Sequence, residues 1–127
     1  MITPQEQYLL RQVQTASPGE LTLMLYNGCI RFMKQAETAI KAKNAPVKHE
    51  YIIKAQNIID ELQVTLNSKY EISSNLDNLY SFMKSQLVRA NISMDTAVLQ
   101  NCIELMTELR DTWAEAIKQL KNGQVSS

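Results

Sequence analysis

The residues able to do chemistry are few: one histidine, His49, two cysteines, Cys29 and Cys102, and the carboxylates Glu104, Glu108, Asp111 and Glu115. Nucleophilic catalysis needs a Cys or Ser beside a base, and metal chemistry needs ligands gathered at short spacing. His49 stands between Lys48 and Glu50 with no second His or Cys at ligand spacing, as a solvated surface residue would. Cys29 and Cys102 are far apart in sequence, each inside an apolar helical pattern, where a free thiol behaves as a small hydrophobe. The four carboxylates follow one another three or four apart, opposite an apolar stripe, which is the pattern of a solvated face. A di-metal bundle would turn them inward and add a Glu-x-x-His motif on two helices, and the chain contains no such motif. The residue types therefore predict no enzyme, no metal and no cofactor.

The elements that hold these residues are predicted to be helices. Three glycines and three prolines punctuate 127 residues, and the rest is rich in Ala, Leu, Met, Lys, Gln and Glu. Thirteen basic and thirteen acidic residues give no net charge, and no basic block could neutralise a row of phosphates, which argues against nucleic acid. No apolar run approaches the ~20 residues of a membrane span, and the N-terminus lacks a basic stretch followed by an apolar one. A cytoplasmic protein with no membrane insertion is expected.

Four long helices can be marked. The first opens at Ser17-Pro18-Gly19-Glu20: Ser17 caps, Pro18 takes the first helical position, and Glu20 completes a capping box. It runs to about Lys43. The second is predicted from Val47 to Asn67, with Tyr51, Ala55, Ile58, Leu62 and Leu66 on its stripe. The third follows Ser73-Ser74-Asn75, where Ser74 and Asp77 resemble a capping box, and ends near Asn91. The fourth begins near Asp95, carries Leu99, Cys102, Met106, Leu109 and Trp113 inward, and is predicted to stop at Asn122-Gly123. Trp113 belongs to the core on this reading, its indole N–H needing a partner.

Short connections return each helix antiparallel to the one before, so the fold class is all-α, an up-down-up-down four-helix bundle. Residues 1–16 form an N-terminal cap segment with a short helix, 17–121 the bundle, and 122–127 a flexible C-terminal tail.

The first long helix has more apolar surface than one bundle face requires. Leu21, Leu25, Gly28, Phe32, Ala36 and Ala39 make one stripe; Leu23, Tyr26, Ile30 and Met33 make a second. If the first packs in the bundle, the second is left over. It could be covered by Leu9, Leu10 and Val13 of the cap, or buried against a second copy of the chain, or it could accept an amphipathic helix or extended peptide from a partner. On the last reading Ile30→Asp abolishes binding and leaves folding intact.

Specific residues also carry a family likeness. Tyr8, Val13, Thr15-Ala16-Ser17-Pro18, Glu20-Leu21 and Met24-Leu25-Tyr26-Asn27-Gly28 resemble the opening of FliS-type flagellar export chaperones. The resemblance continues through Ile30-Arg31-Phe32, Leu76, Leu79, Tyr80 and Met83, Arg89-Ala90-Asn91, and Leu109-Arg110-Asp111 with Trp113. Gly19 replaces the bulkier or charged residue often found in that turn, and His49-Glu50 matches no family motif. The resemblance implies a cytosolic chaperone, monomeric or a weak homodimer. It would bind the C-terminal region of flagellin, prevent premature polymerisation and deliver it to a component of the flagellar type III export gate, with room for a second flagellin-regulating protein. The residues expected to meet flagellin are Tyr8, Leu10, Val13, Leu23, Tyr26, Ile30 and Met33, with Ser17, Pro18, Glu20, Gly28 and Trp113 as structural supports. The alternative function is a homo-oligomeric bundle acting as a structural or adaptor protein.

Overall fold

The computed structural model describes residues 3–15, 17–66 and 71–125. Those residues form five helices, α1 (Pro4–Thr15), α2 (Pro18–Lys41), α3 (Ala45–Val64), α4 (Glu71–Ser93) and α5 (Thr96–Val125). The last four build the bundle.

Local chemistry sets most of the helix ends. Thr3 Oγ1 accepts from the Glu6 N–H at 3.1 Å and the Glu6 carboxylate accepts from the Thr3 N–H at 3.3 Å, a reciprocal capping box that starts α1. At α2, Ser17 Oγ accepts from the Glu20 N–H at 3.3 Å with Pro18 next in line, and the Ser17 N–H donates to Glu20 in return. Glu20 also pairs with Lys121 of α5 at 3.0 Å. The α2–α3 turn is closed by Lys43, which adopts φ 57° so that its N–H reaches Ile40 O at 2.9 Å and the Asn44 N–H reaches Ala39 O at 2.8 Å. Asn44 then caps α3, its Oδ1 accepting from the Val47 N–H at 3.2 Å. The α4–α5 turn repeats the device: Met94 has φ 56°, and Asp95 Oδ1 accepts from the Ala97 N–H at 2.8 Å.

Two predicted boundaries need correction. α4 is already helical at Glu71, so Ser74 lies inside the helix and its box with Asp77 is not a start. Asp77 instead accepts from Gln63 of α3 at 2.9 Å. α5 continues through Asn122-Gly123 to Val125, because a single glycine costs a helix only about 1 kcal/mol and does not end it unaided. The predicted end of the second helix at Asn67 falls outside the described residues; the helix itself ends at Val64.

Each long helix contributes residues alternating three and four apart: Cys29, Met33, Ala36 and Ile40; Ile52, Ala55, Ile59 and Leu62; Tyr80, Met83, Leu87 and Ala90; Leu99, Cys102 and Met106. All are buried. Pairings across the seams run in opposite sequence directions, so every neighbour is antiparallel. Phe32 meets Tyr51 and Cys29 meets the Ala55 carbonyl between α2 and α3. Lys48 Nζ donates to the Asn91 carbonyl and Lys84 pairs with Asp60 between α3 and α4. The Cys102 thiol faces the Met83 carbonyl between α4 and α5, and Arg110 reaches Asn27 between α5 and α2. The helices therefore close a ring in chain order. The Asn91 carbonyl belongs to the last turn of α4, where a cation is favoured by the helix dipole, which accounts for the burial of Lys48.

Candidate partner-binding surface

The ring geometry overturns the division of α2 into a bundle stripe and a spare stripe. A helix in a closed ring touches neighbours on both flanks and needs a broad apolar arc. In α2 the arc centres on Cys29, Met33, Ala36 and Ile40. Tyr26 and Ile30 lie on its α5 side; Gly28 and Phe32 lie on its α3 side.

Tyr26, Ile30 and Met33, expected to face a partner, are 1%, 4% and 0% exposed and belong to the core. Tyr26 makes an edge-on contact with Trp113, centroids 6.2 Å apart, and its hydroxyl meets that of Tyr80 at 2.6 Å across the diagonal of the bundle. The pair satisfies two hydroxyls that burial would otherwise penalise. Ile30→Asp would therefore place a carboxylate in the core rather than alter a binding face. Leu23 is half-buried, and Tyr8 is exposed at 63%. The side chains of Leu10 and Val13 lie outside the described residues.

Trp113 donates its indole N–H to the Gly19 carbonyl at 2.8 Å, joining the start of α2 to α5. Gly28 lets α2 and α3 approach: a Cβ there would lie 3.3 Å from Ile58 Cδ1. Cys29 and Cys102 are buried free thiols, and burial pushes them up to about 12 and about 11, so neither is a reactive thiolate. His49 is exposed, its Nδ1 2.9 Å from the Asn91 side-chain amide. No group of metal ligands assembles among the described residues.

What remains open is the outer edge of the α2–α3 seam. Leu25, Phe32, Tyr51 and Ile58 pack on the core with one side and remain half-buried. The Phe32 and Tyr51 rings stack at 6.0 Å and 28°. The Arg31 guanidinium lies 5.5 Å from the Phe32 ring centre, and the Lys54 ammonium lies 5.6 and 5.2 Å from the two rings. Arg31 also lines, with Pro4, Gln5 and Tyr8, a hollow of about 600 Å³ between α1 and α2. An apolar strip rimmed by Arg31 and by Lys54, which also pairs with Glu50 at 3.3 Å, and bordered by a short N-terminal helix, can bind an amphipathic segment. It holds no group poised for covalent chemistry. The sequence reading places Phe32 and Tyr51 wholly in the core; the signal it leaves unused is a basic residue near each on the helix surface, Arg31 next to Phe32 and Lys54 three residues after Tyr51.

The chain's relatives bear on these features. A family described as flagellar protein FliS matches residues 1–120. The flagellar secretion chaperone FliS of Bacillus subtilis is 46% identical, the match covering 91% of this chain and 86% of that one. Its Vibrio cholerae counterpart is 34% identical over 87% of this chain and 83% of that one. A solved structure described as a flagellar chaperone from bacteria superposes with a TM-score of 0.76 at 20% identity, over 91% of this chain and 99% of that one, and shares the fold. Among the described residues no helix is long and apolar enough to cross a membrane. With the capped start of α2, the Trp113 tie and a match over nearly the whole length, the chain belongs to the FliS family, a family of flagellar secretion chaperones and not of enzymes.

Proposed function

We propose that this protein is a cytosolic export chaperone for flagellin. It holds the C-terminal region of flagellin along the α2–α3 seam, keeps it from polymerising, and delivers it to the flagellar type III export gate. The observation that carries the reading is the stacked, half-buried Phe32–Tyr51 pair with Arg31 and Lys54 at its edge, in a chain of the secretion chaperone family. An amphipathic helix would set apolar side chains on Leu25, Phe32, Tyr51 and Ile58 and carboxylates toward the two cations. α1, whose Tyr8 borders Arg31, would move aside or close over the bound segment. Because a disordered tail must order as it binds, affinity is lower than the buried area alone would give.

Titration calorimetry with a peptide of the last ~40 residues of the same organism's flagellin tests this, a length that coupled folding and binding can bury on one bundle. Binding with a negative heat-capacity change is expected, and Phe32→Ala should weaken it about tenfold or more, as the loss of a central aromatic contact does. Absence of any heat or heat-capacity change would overturn the reading. Sedimentation showing that the seam is buried in a stable homo-oligomer would support an adaptor bundle instead.

A further inference from the structure

The seam diagonally opposite, between α4 and α5, has a different character. Phe82 on α4 leaves half its surface exposed, and its ring forms one wall of a groove of about 300 Å³. Gln86 of α4 and Asn101, Cys102, Glu104, Leu105 and Glu108 of α5 complete the lining. Cys102 and Leu105 form an apolar floor. Glu104 and Glu108 are exposed, and neither pairs with a cation among the described residues. Asp111, paired with Arg110 at 3.1 Å, and Glu115 continue the same edge along α5, also exposed. The α2–α3 seam thus has cations beside its rings, and the α4–α5 groove has carboxylates beside its ring.

We infer that the α4–α5 groove is a second docking surface, for a basic amphipathic helix of another protein. Such a helix would seat a bulky apolar side chain on Phe82 and Leu105 and place Lys or Arg one turn away, against Glu104 and Glu108. Charge complementarity selects this occupant: an acidic segment suited to Arg31 and Lys54 would be repelled here, and a basic one is unsuited to the first seam. Because the four helices close in a ring, the two seams lie on opposite sides, so the second partner can bind while the first seam is occupied.

The test uses the whole chain and two synthetic amphipathic helices of about 18 residues, one built from Leu, Ala and Lys and one from Leu, Ala and Glu. Fluorescence anisotropy gives affinity, and amide chemical shifts locate the site. The Lys helix should bind, shifting the amides of Phe82, Gln86, Glu104, Leu105 and Glu108, and added salt should weaken it. Glu104→Lys/Glu108→Lys should weaken it roughly tenfold, the scale of two lost charge contacts, and Phe82→Ser should do the same, with circular dichroism unchanged. Phe32→Ala should leave it unaffected. Equal binding of the Glu helix, no binding of the Lys helix, or Lys-helix binding that survives Phe82→Ser would overturn the proposal. So would sedimentation showing the groove closed by a second copy. None of these outcomes involves flagellin, so the α2–α3 reading stands or falls separately.

Discussion

At the residue scale, the buried side-chain polar atoms among the described residues each have a partner built in. The Tyr26 and Tyr80 hydroxyls satisfy each other at 2.6 Å, and Trp113 finds the Gly19 carbonyl. The thiols of Cys29 and Cys102 point at the carbonyls of Ala55 and Met83. Burial disfavours ionisation of both thiols and both phenols, raising the cysteines from 9.0 to about 12 and about 11 and the tyrosines above 10.0. A raised folded-state value means that the unfolded chain loses its protons first. Stability from these groups is complete below pH 9.0 and is lost as pH climbs toward 11 and 12. Glu20 works in the other direction. Its bond to Lys121 lowers it below 4.5, so what it contributes is present above that value and lost as pH falls through the lowered one. Urea unfolding across pH should show a plateau falling at both ends. Cys29→Ala/Cys102→Ala should flatten the alkaline limb beyond its constant cavity cost, and an unchanged slope would remove the thiols as its cause.

At the scale of elements, most helix starts were legible because their signals are chemical and local. Ser17-Pro18 and Asp95 cap where their side chains suggest, and Asn44 caps α3 at Ala45, two residues ahead of the expected start at Val47. The Thr3–Glu6 box carries the same signature and could have been found by it. Ser74 has the same pattern and caps nothing, since a serine three residues before an acid also arises inside a helix whose packing holds it there. The turns were less legible because neither uses glycine. Lys43 and Met94 accept a positive φ to satisfy the last carbonyls of α2 and α4, at a conformational cost that a side-chain-bearing residue incurs and glycine does not. Lys43 is exposed, so its side chain adds little packing. Lys43→Gly should stabilise the protein by about 1 kcal/mol, read as a higher urea midpoint with an unchanged slope. A lower midpoint would mean that flexibility gained by the unfolded chain outweighs the relieved strain.

For the whole molecule, the decisive fact is that α2 has neighbours on two sides, and periodicity within one helix cannot report that. Two apolar stripes are compatible with one buried and one free, or with two flanks of a single broad buried arc; ring closure selects the second. Ile30 and Phe32 distinguish these arrangements experimentally. Ile30 is 4% exposed, so Ile30→Asp forces a carboxylate to be buried without a partner or the helix to leave its seat. That costs several kcal/mol, comparable with the ~5–15 kcal/mol stability of a domain, and should largely unfold the protein. Phe32 is half-buried with its outer edge in water, so Phe32→Asp keeps its carboxylate solvated and loses chiefly ring packing, about 1–2 kcal/mol. Far-ultraviolet circular dichroism with thermal melting should show a broad, non-native transition for Ile30→Asp and a cooperative, modestly lowered one for Phe32→Asp. If Ile30→Asp instead melted like the parent, Ile30 would have to face outward, and the partner surface would move from the α2–α3 seam to the stripe of Leu23, Tyr26 and Ile30.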